Sequence, residues 1–190
     1  PNTTEIQKAK IEGLAIKTIN GKKNLIIGLR EPDSLVRVYS AEINEQVKLT
    51  LKPYFSFNAG KTVDGEQFKL SSLEYVIEMK GFIILTSSET NKPVPNTDGL
   101  PVFHGNAIWF ISDEKLEKAQ VSNDFKQIET TKISEFQKDN KSEGICTLPS
   151  SLPNKFKFAI VYDNDTKDMK TAGANPLPLG KMQIVELTKN

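Results

Sequence analysis

His104 and Cys146 are each the only residue of their type in the 190-residue chain, so a thiolate–imidazole dyad must be this pair. Neither lies in a nucleophile elbow or a papain-like signature, and a lone Cys close to Ile145 and Leu148 more often fills a small core position. No catalytic residue is assigned. One His and one Cys also fall short of the four N or S ligands of a structural zinc site and of the three histidines of a catalytic one. Oxygen donors do cluster. Asp163, Asp165 and Asp168 stand within Asp163-Asn164-Asp165-Thr166-Lys167-Asp168, and calcium, a hard cation, takes several oxygen ligands close together. Lys167 stands where a calcium loop takes another oxygen ligand and Asp168 where it takes Gly, so the same run also reads as an Asp-rich turn. Calcium is the one cofactor to test, and no other is expected. A second group comprises Asp98, His104, Asn106 and Trp109, in and after a stretch rich in Pro and Asn. Trp109, like Tyr39, Tyr54, Tyr75 and Tyr162, has a ring that can stack on a sugar, although aromatics in alternating strands more often belong to the core. Paired carboxylates for glycoside hydrolysis leave no spacing in a sequence, which keeps a small hydrolase with a fold-assembled site among the alternatives.

The elements that must position these residues read as strands. Residues 47–52 (Val-Lys-Leu-Thr-Leu-Lys) alternate apolar and polar without a break, which places one face on a core and one in water. Residues 156–162 carry Phe156, Phe158, Ile160 and Tyr162 at every second position and read as a central strand buried on one face and partly on the other. Further strands are expected at 14–19, 24–29, 35–39, 54–57, 73–79, 82–86, 107–111 and 182–187, roughly ten in all with no long helix between them. Asn20-Gly21 joins two apolar runs, and both accept the positive φ of a type I′ turn, which predicts a hairpin over 14–29. Lys80-Gly81 and Asp64-Gly65 are turn signals of the same kind. Helix is expected only at a short N-terminal turn opened by Thr4 and Gln7 and carrying Ile6 and Ile11, and over 113–119, which runs from acidic to basic as a helix dipole prefers. Residues 123–140 suit either a surface helix or an extended cover over the sheet. Residues 91–101, 139–154 and 167–180 read as long connections, where a rigid scaffold would carry function, and His104 reads as a loop residue.

Charge and composition exclude several classes. Twenty-five basic and 24 acidic residues leave a net charge of +1 without a block of like charge, and all the basic residues but Arg30 and Arg37 are Lys. Nucleic acid is therefore not an expected partner. No run of 18 uncharged apolar residues is present, so no membrane-spanning helix is expected. A single Cys fits a reducing compartment and equally a secreted chain whose leader has been removed, since no leader pattern opens the sequence at Pro1.

Three segments resemble the bacterial inclusion-body family of AidA and PixA. They are Pro95-Asn96-Thr97-Asp98-Gly99-Leu100-Pro101, the strand from Trp109 leading to Asp113-Glu114-Lys115, and Phe156-Lys157-Phe158-Ala159-Ile160-Val161-Tyr162. The resemblance covers the C-terminal half. The family's Asn-Ser-Asp-Asp-Ala segment and its terminal Trp-Asp-Pro are missing, and residues 123–154 stand as an insertion. The resemblance implies a β-rich bacterial protein that accumulates or self-assembles, and it transfers no catalytic residue. A composition rich in Lys, Asn and Ile and poor in Arg also suits an AT-rich bacterial genome.

These readings together predict one all-β domain over 1–190, an antiparallel β-sandwich with long loops and one or two short helices. They predict a non-catalytic binding or self-assembly module whose partner is itself, another protein or a glycan. A lectin-like carbohydrate-binding module and a small hydrolase are the alternatives.

Overall fold

The computed structural model describes residues 10–30, 34–44, 49–90, 102–130, 132–136, 141–150, 152, 155–162 and 181–188. In chain order the elements are β1 (Lys10–Ile19), β2 (Lys22–Arg30), β3 (Leu35–Glu42), β4 (Lys52–Asn58), β5 (Lys69–Val76), β6 (Gly81–Thr90), β7 (Val102–Ser112), α1 (Asp113–Lys118), β8 (Val121–Ser122), β9 (Phe125–Gln127), β10 (Lys132–Phe136), β11 (Ser142–Leu148), β12 (Lys155–Tyr162) and β13 (Lys181–Thr188). They form three sheets, ordered β1-β2-β3-β4-β9-β8, β10-β7-β6-β5 and β11-β12-β13. Every pairing is antiparallel except the short parallel contact of β4 with β9.

The all-β antiparallel class holds, and the layers are three. Ile26, Val38, Phe55 and Phe57 of the first sheet pack on Phe82, Ile84 and Ile111 of the second. The opposite face of the second sheet, with Ile83, Leu85 and Ile108, packs on Ile145, Phe158 and Ile160 of the third. The middle sheet is thus covered on both sides. This explains why Phe82-Ile83-Ile84-Leu85 is apolar without alternation, since a strand with no wet face has no position that favours a polar side chain. β12 is the central strand of its sheet, as its pattern predicts.

Local signals hold where turn chemistry is explicit. Asn20 and Gly21 take φ of 50° and 76° and close the first hairpin with Ile19 opposite Lys22. Lys80 (φ 49°) and Gly65 (φ 85°) sit in turns as expected. α1 forms over the acidic-to-basic segment, with the Ser112 side chain accepting the Lys115 N–H as N-cap.

Several expectations need correction. Residues 49–51 of the alternating stretch at 47–52 lie outside any strand, because the ladder with β3 begins at Lys52 and without a partner ladder alternation alone makes no sheet. The strand expected at 73–79 ends at Val76, and 77–80 form the turn into β6. The connection at 139–154 contains β11, and residues 121–136 are extended as β8, β9 and β10, with the turn at Asn123 and Asp124, where a surface helix was one option. Ile11 belongs to β1 and not to an N-terminal helical turn, while Thr4, Ile6 and Gln7 lie outside the described residues.

Candidate functional site

His104 is a strand residue and not a loop residue. Between the pairs Ser88–Gly105 and Glu89–Phe103 the register of β6 and β7 shifts, so His104 occupies a bulge without a cross-strand partner, next to Gly105 at φ 153°. Its Nδ1 lies 3.6 Å from Asp64 Oδ2, and its Nε2 is buried without a hydrogen-bond partner. Asn106 is buried and accepts the Ser142 N–H at 2.8 Å through Oδ1, tying the second sheet to the third. Trp109 is 5% exposed, packs 5.5 Å from Phe57 and donates its indole N–H to Thr86 Oγ1 at 2.9 Å. It is a core residue with no face open to a sugar, and Tyr39 and Tyr162 are buried too. Asp98, Asp163, Asp165 and Asp168 lie outside the described residues. Among the described residues no three His, Cys, Asp or Glu side chains are grouped to hold a metal ion.

Cys146 is exposed, contrary to its reading as a core position. Its neighbour Ile145 faces the second sheet, so strand alternation turns Cys146 to the outer side of the third, away from the layer that holds His104. The two sole members of the only dyad the sequence allows are not brought together.

Sequence reasoning missed two polar clusters. At the α1 end, Lys17 Nζ lies 2.5 Å from Asp113 Oδ1 and donates to the Tyr54 hydroxyl at 3.3 Å, while Tyr75 donates to Asp113 Oδ2 at 2.7 Å. The ammonium also sits 4.9 Å from the centre of the Tyr75 ring. Burial, then the hydrogen bond to Asp113 and its charge, push the Tyr75 phenol up to about 12. Burial raises Tyr54 as well, against the pull of Lys17. Both phenols therefore stay protonated at neutral pH, and neither can serve as a base there. At the opposite end, Arg30 donates to the Leu70 carbonyl at 2.7 Å and to Glu89 at 3.0 Å, and Lys141 bridges Glu89 (3.7 Å) and Glu143 (2.6 Å). These charges satisfy one another and link all three sheets. Beside α1 a cleft of about 660 Å³ lies over Met79, Phe110 and Phe156 with Asp113 and Glu117 on its lining. The sequence singles out Asp113 through the Asp-x-Lys element, Tyr54 and Tyr75 as rings and Phe156 as a strand residue, and nothing in it pairs Asp113 with Lys17.

The outer faces are the third feature. In β1, Ala15 and Ile19 pack inward and the Lys17 side chain is 11% exposed, whereas Ile11, Leu14 and Ile16 are 56%, 59% and 60% exposed. Leu14 pairs with Ile27 and Ile16 with Leu25, and Tyr39 of β3 continues the apolar face to Phe125, whose ring meets it edge-on at 5.2 Å. The strand is inside out relative to the usual amphipathic pattern.

No family model, curated protein or solved structure matches the chain. No helix among the described residues is long and apolar enough to cross a membrane.

Proposed function

We propose that this chain is a non-catalytic bacterial module that associates with a second copy of itself through the outer face of β1, β2 and β3. The observation that carries the reading is the inverted β1, which turns Leu14 and Ile16 to water while Lys17 takes an inward position. Leu14 and Ile16 stand beside Ile27 and Leu25 of the outer apolar cluster yet keep most of their own surface in water, and contiguous apolar surface rimmed by polar residues marks interaction sites. Two flat sheet faces pack aligned about 10 Å apart, and a two-fold arrangement lets the same residues meet on both copies. Strands β1 to β3 span roughly 14 by 27 Å, on the order of 400 Å² of flat area before side-chain relief, against about 800 Å² per partner in a standard interface. The resemblance to the inclusion-body family points the same way. The buried Trp109 counts against the lectin-like alternative, and the separation of His104 from Cys146 counts against the hydrolase.

Sedimentation velocity over a wide concentration range tests the reading. The wild-type chain is expected to dimerise and Ile16→Lys to remain monomeric. Withdrawing roughly 100 Å² of Ile16 on each copy is worth about 2.5 kcal/mol per copy, so the dimer weakens on the order of a thousandfold. A wild-type chain that stays monomeric throughout, or an Ile16→Lys variant that dimerises as well as wild type, overturns it.

A further inference from the structure

We infer that the cleft beside α1 binds a small organic cation with an apolar body, an alkyl- or arylammonium compound, between the second and third sheets. It shares no residue with the β1–β3 face, so it stands whether or not copies associate. Its floor is the end of the core between those two sheets. Ile108 and Phe110 share one face of β7, and Phe156 and Phe158 share one face of β12. Ile108 and Phe158 are fully buried, whereas Phe110, Phe156 and Leu187, which pairs with Phe156, are covered only in part. Met79, from the turn before β6, is the fourth half-covered residue of this floor. The space above them is about 660 Å³, within the range of about 300–1,000 Å³ of small-molecule sites and far larger than a packing void. Gly81 helps to leave it open. It lies on the face of β6 that carries Ile83, and a Cβ there would stand 2.5 Å from Phe110 Cε2 and 2.6 Å from the Ile111 carbonyl oxygen. The Phe110 ring therefore rests in the place of a missing side chain, and a residue that would narrow the cleft is absent.

The rim selects the charge of the occupant. Three carboxylates, Asp113, Glu114 and Glu117, stand on the lining against one ammonium, Lys80. Asp113 already accepts from Lys17 and Tyr75, yet it is 25% exposed and a carboxylate has about four lone-pair sites. Glu114 pairs with Lys118 in full solvent contact, 72% and 75% exposed, and such a pair is weak enough to give way to a better-placed cation. Glu117 is exposed one turn after Asp113. An anion entering the cleft meets three like charges, whereas an ammonium over the same apolar floor meets acceptors. An apolar pocket with a few convergent polar groups is the anatomy of a ligand site, in which the floor supplies affinity and the rim fixes orientation.

Calorimetric titration of the chain with octylammonium, octanoate and 1-octanol at neutral pH, each below its micelle concentration, tests the assignment. Octylammonium is expected to bind at least about tenfold more tightly than octanoate, and decylammonium on the order of tenfold more tightly again, since each buried methylene is worth about a factor of four. The variant carrying both Glu114→Gln and Glu117→Gln changes only exposed side chains, with circular dichroism confirming its fold. It is expected to weaken octylammonium several-fold and to leave 1-octanol unchanged. Carbon-13 labelling of the methionine methyl groups locates the ligand. The Met79 methyl, on the cleft, is expected to shift on titration, and the Met182 methyl, 63% exposed on β13, to stay in place. Absence of binding by either ammonium ion, or a shift of Met182 without one of Met79, overturns the site. Octanoate binding as tightly as octylammonium, or a double variant that keeps the full preference for the ammonium ion, overturns the cationic ligand.

Discussion

Breaking the Lys17–Asp113 pair tests how the α1 end is held together. The two side chains are 11% and 25% exposed, so each gives up part of its hydration and depends on its partner in return. Asp113→Asn keeps the shape and leaves the ammonium with the neutral Tyr54 hydroxyl, the new amide oxygen and the Tyr75 ring. Lys17→Met keeps most of the stem and leaves a carboxylate that still accepts from Tyr75 and reaches water at the cleft. Removing one partner of a fully buried pair costs about 3–5 kcal/mol. With this partial exposure Asp113→Asn is expected to cost about 3 kcal/mol and Lys17→Met about 2. The double variant strands no charge and is expected to lose less than the sum by about 1–2 kcal/mol. Urea unfolding followed by Trp109 fluorescence gives all four corners of the cycle, and the larger single loss corresponds to roughly 6–12 °C in Tm for a chain of this size. Additivity within about 0.5 kcal/mol, or a costlier Lys17→Met than Asp113→Asn, would refute the reasoning.

Two further outcomes follow from the same geometry. The Tyr75 and Tyr162 phenols are raised from 10.0 to about 12 in the folded chain, so their contribution is fully present below pH 10 and is lost as pH climbs toward 12. Each removes up to about 1.4 kcal/mol per pH unit in that window; urea midpoints at pH 9 and pH 11 should show the fall, Tyr162→Phe should lessen it, and a flat profile contradicts it. At Gly13 an added Cβ would lie 2.6 Å from Leu73 Cβ and 3.3 Å from its backbone N, whereas at Gly28 the clash, 2.4 Å, is with the movable Leu70 Cδ2. Gly13→Ala is therefore expected to cost at least about 2 kcal/mol and more than Gly28→Ala, and the reverse order in thermal unfolding would show that β1 does not rest on β5 as closely as described.

What could be read from residue order is what near neighbours decide. Asn20-Gly21 made its turn because both residues tolerate positive φ whatever surrounds them. α1 formed where Ser112 caps an acidic first turn, and short alternating runs without helical periodicity fixed the all-β class. The alternating run at 47–52 fell short because a strand needs a partner ladder, which only the fold supplies. Cys146, next to Ile145 and close to Leu148, became exposed because the side of β11 that faces the core is set by β12 and not by its neighbours.

Period two determines that a strand has two faces and is silent about which one turns inward. In β1 the choice went against hydrophobicity: Leu14 and Ile16 face out because Lys17 finds Asp113, 96 residues away, together with two tyrosines, on the inner side. The third layer, the bulge at His104 and the outward apolar face of β1 to β3 belong to the same category. Each depends on strands far apart in the chain meeting in one register, and only tertiary structure decides that.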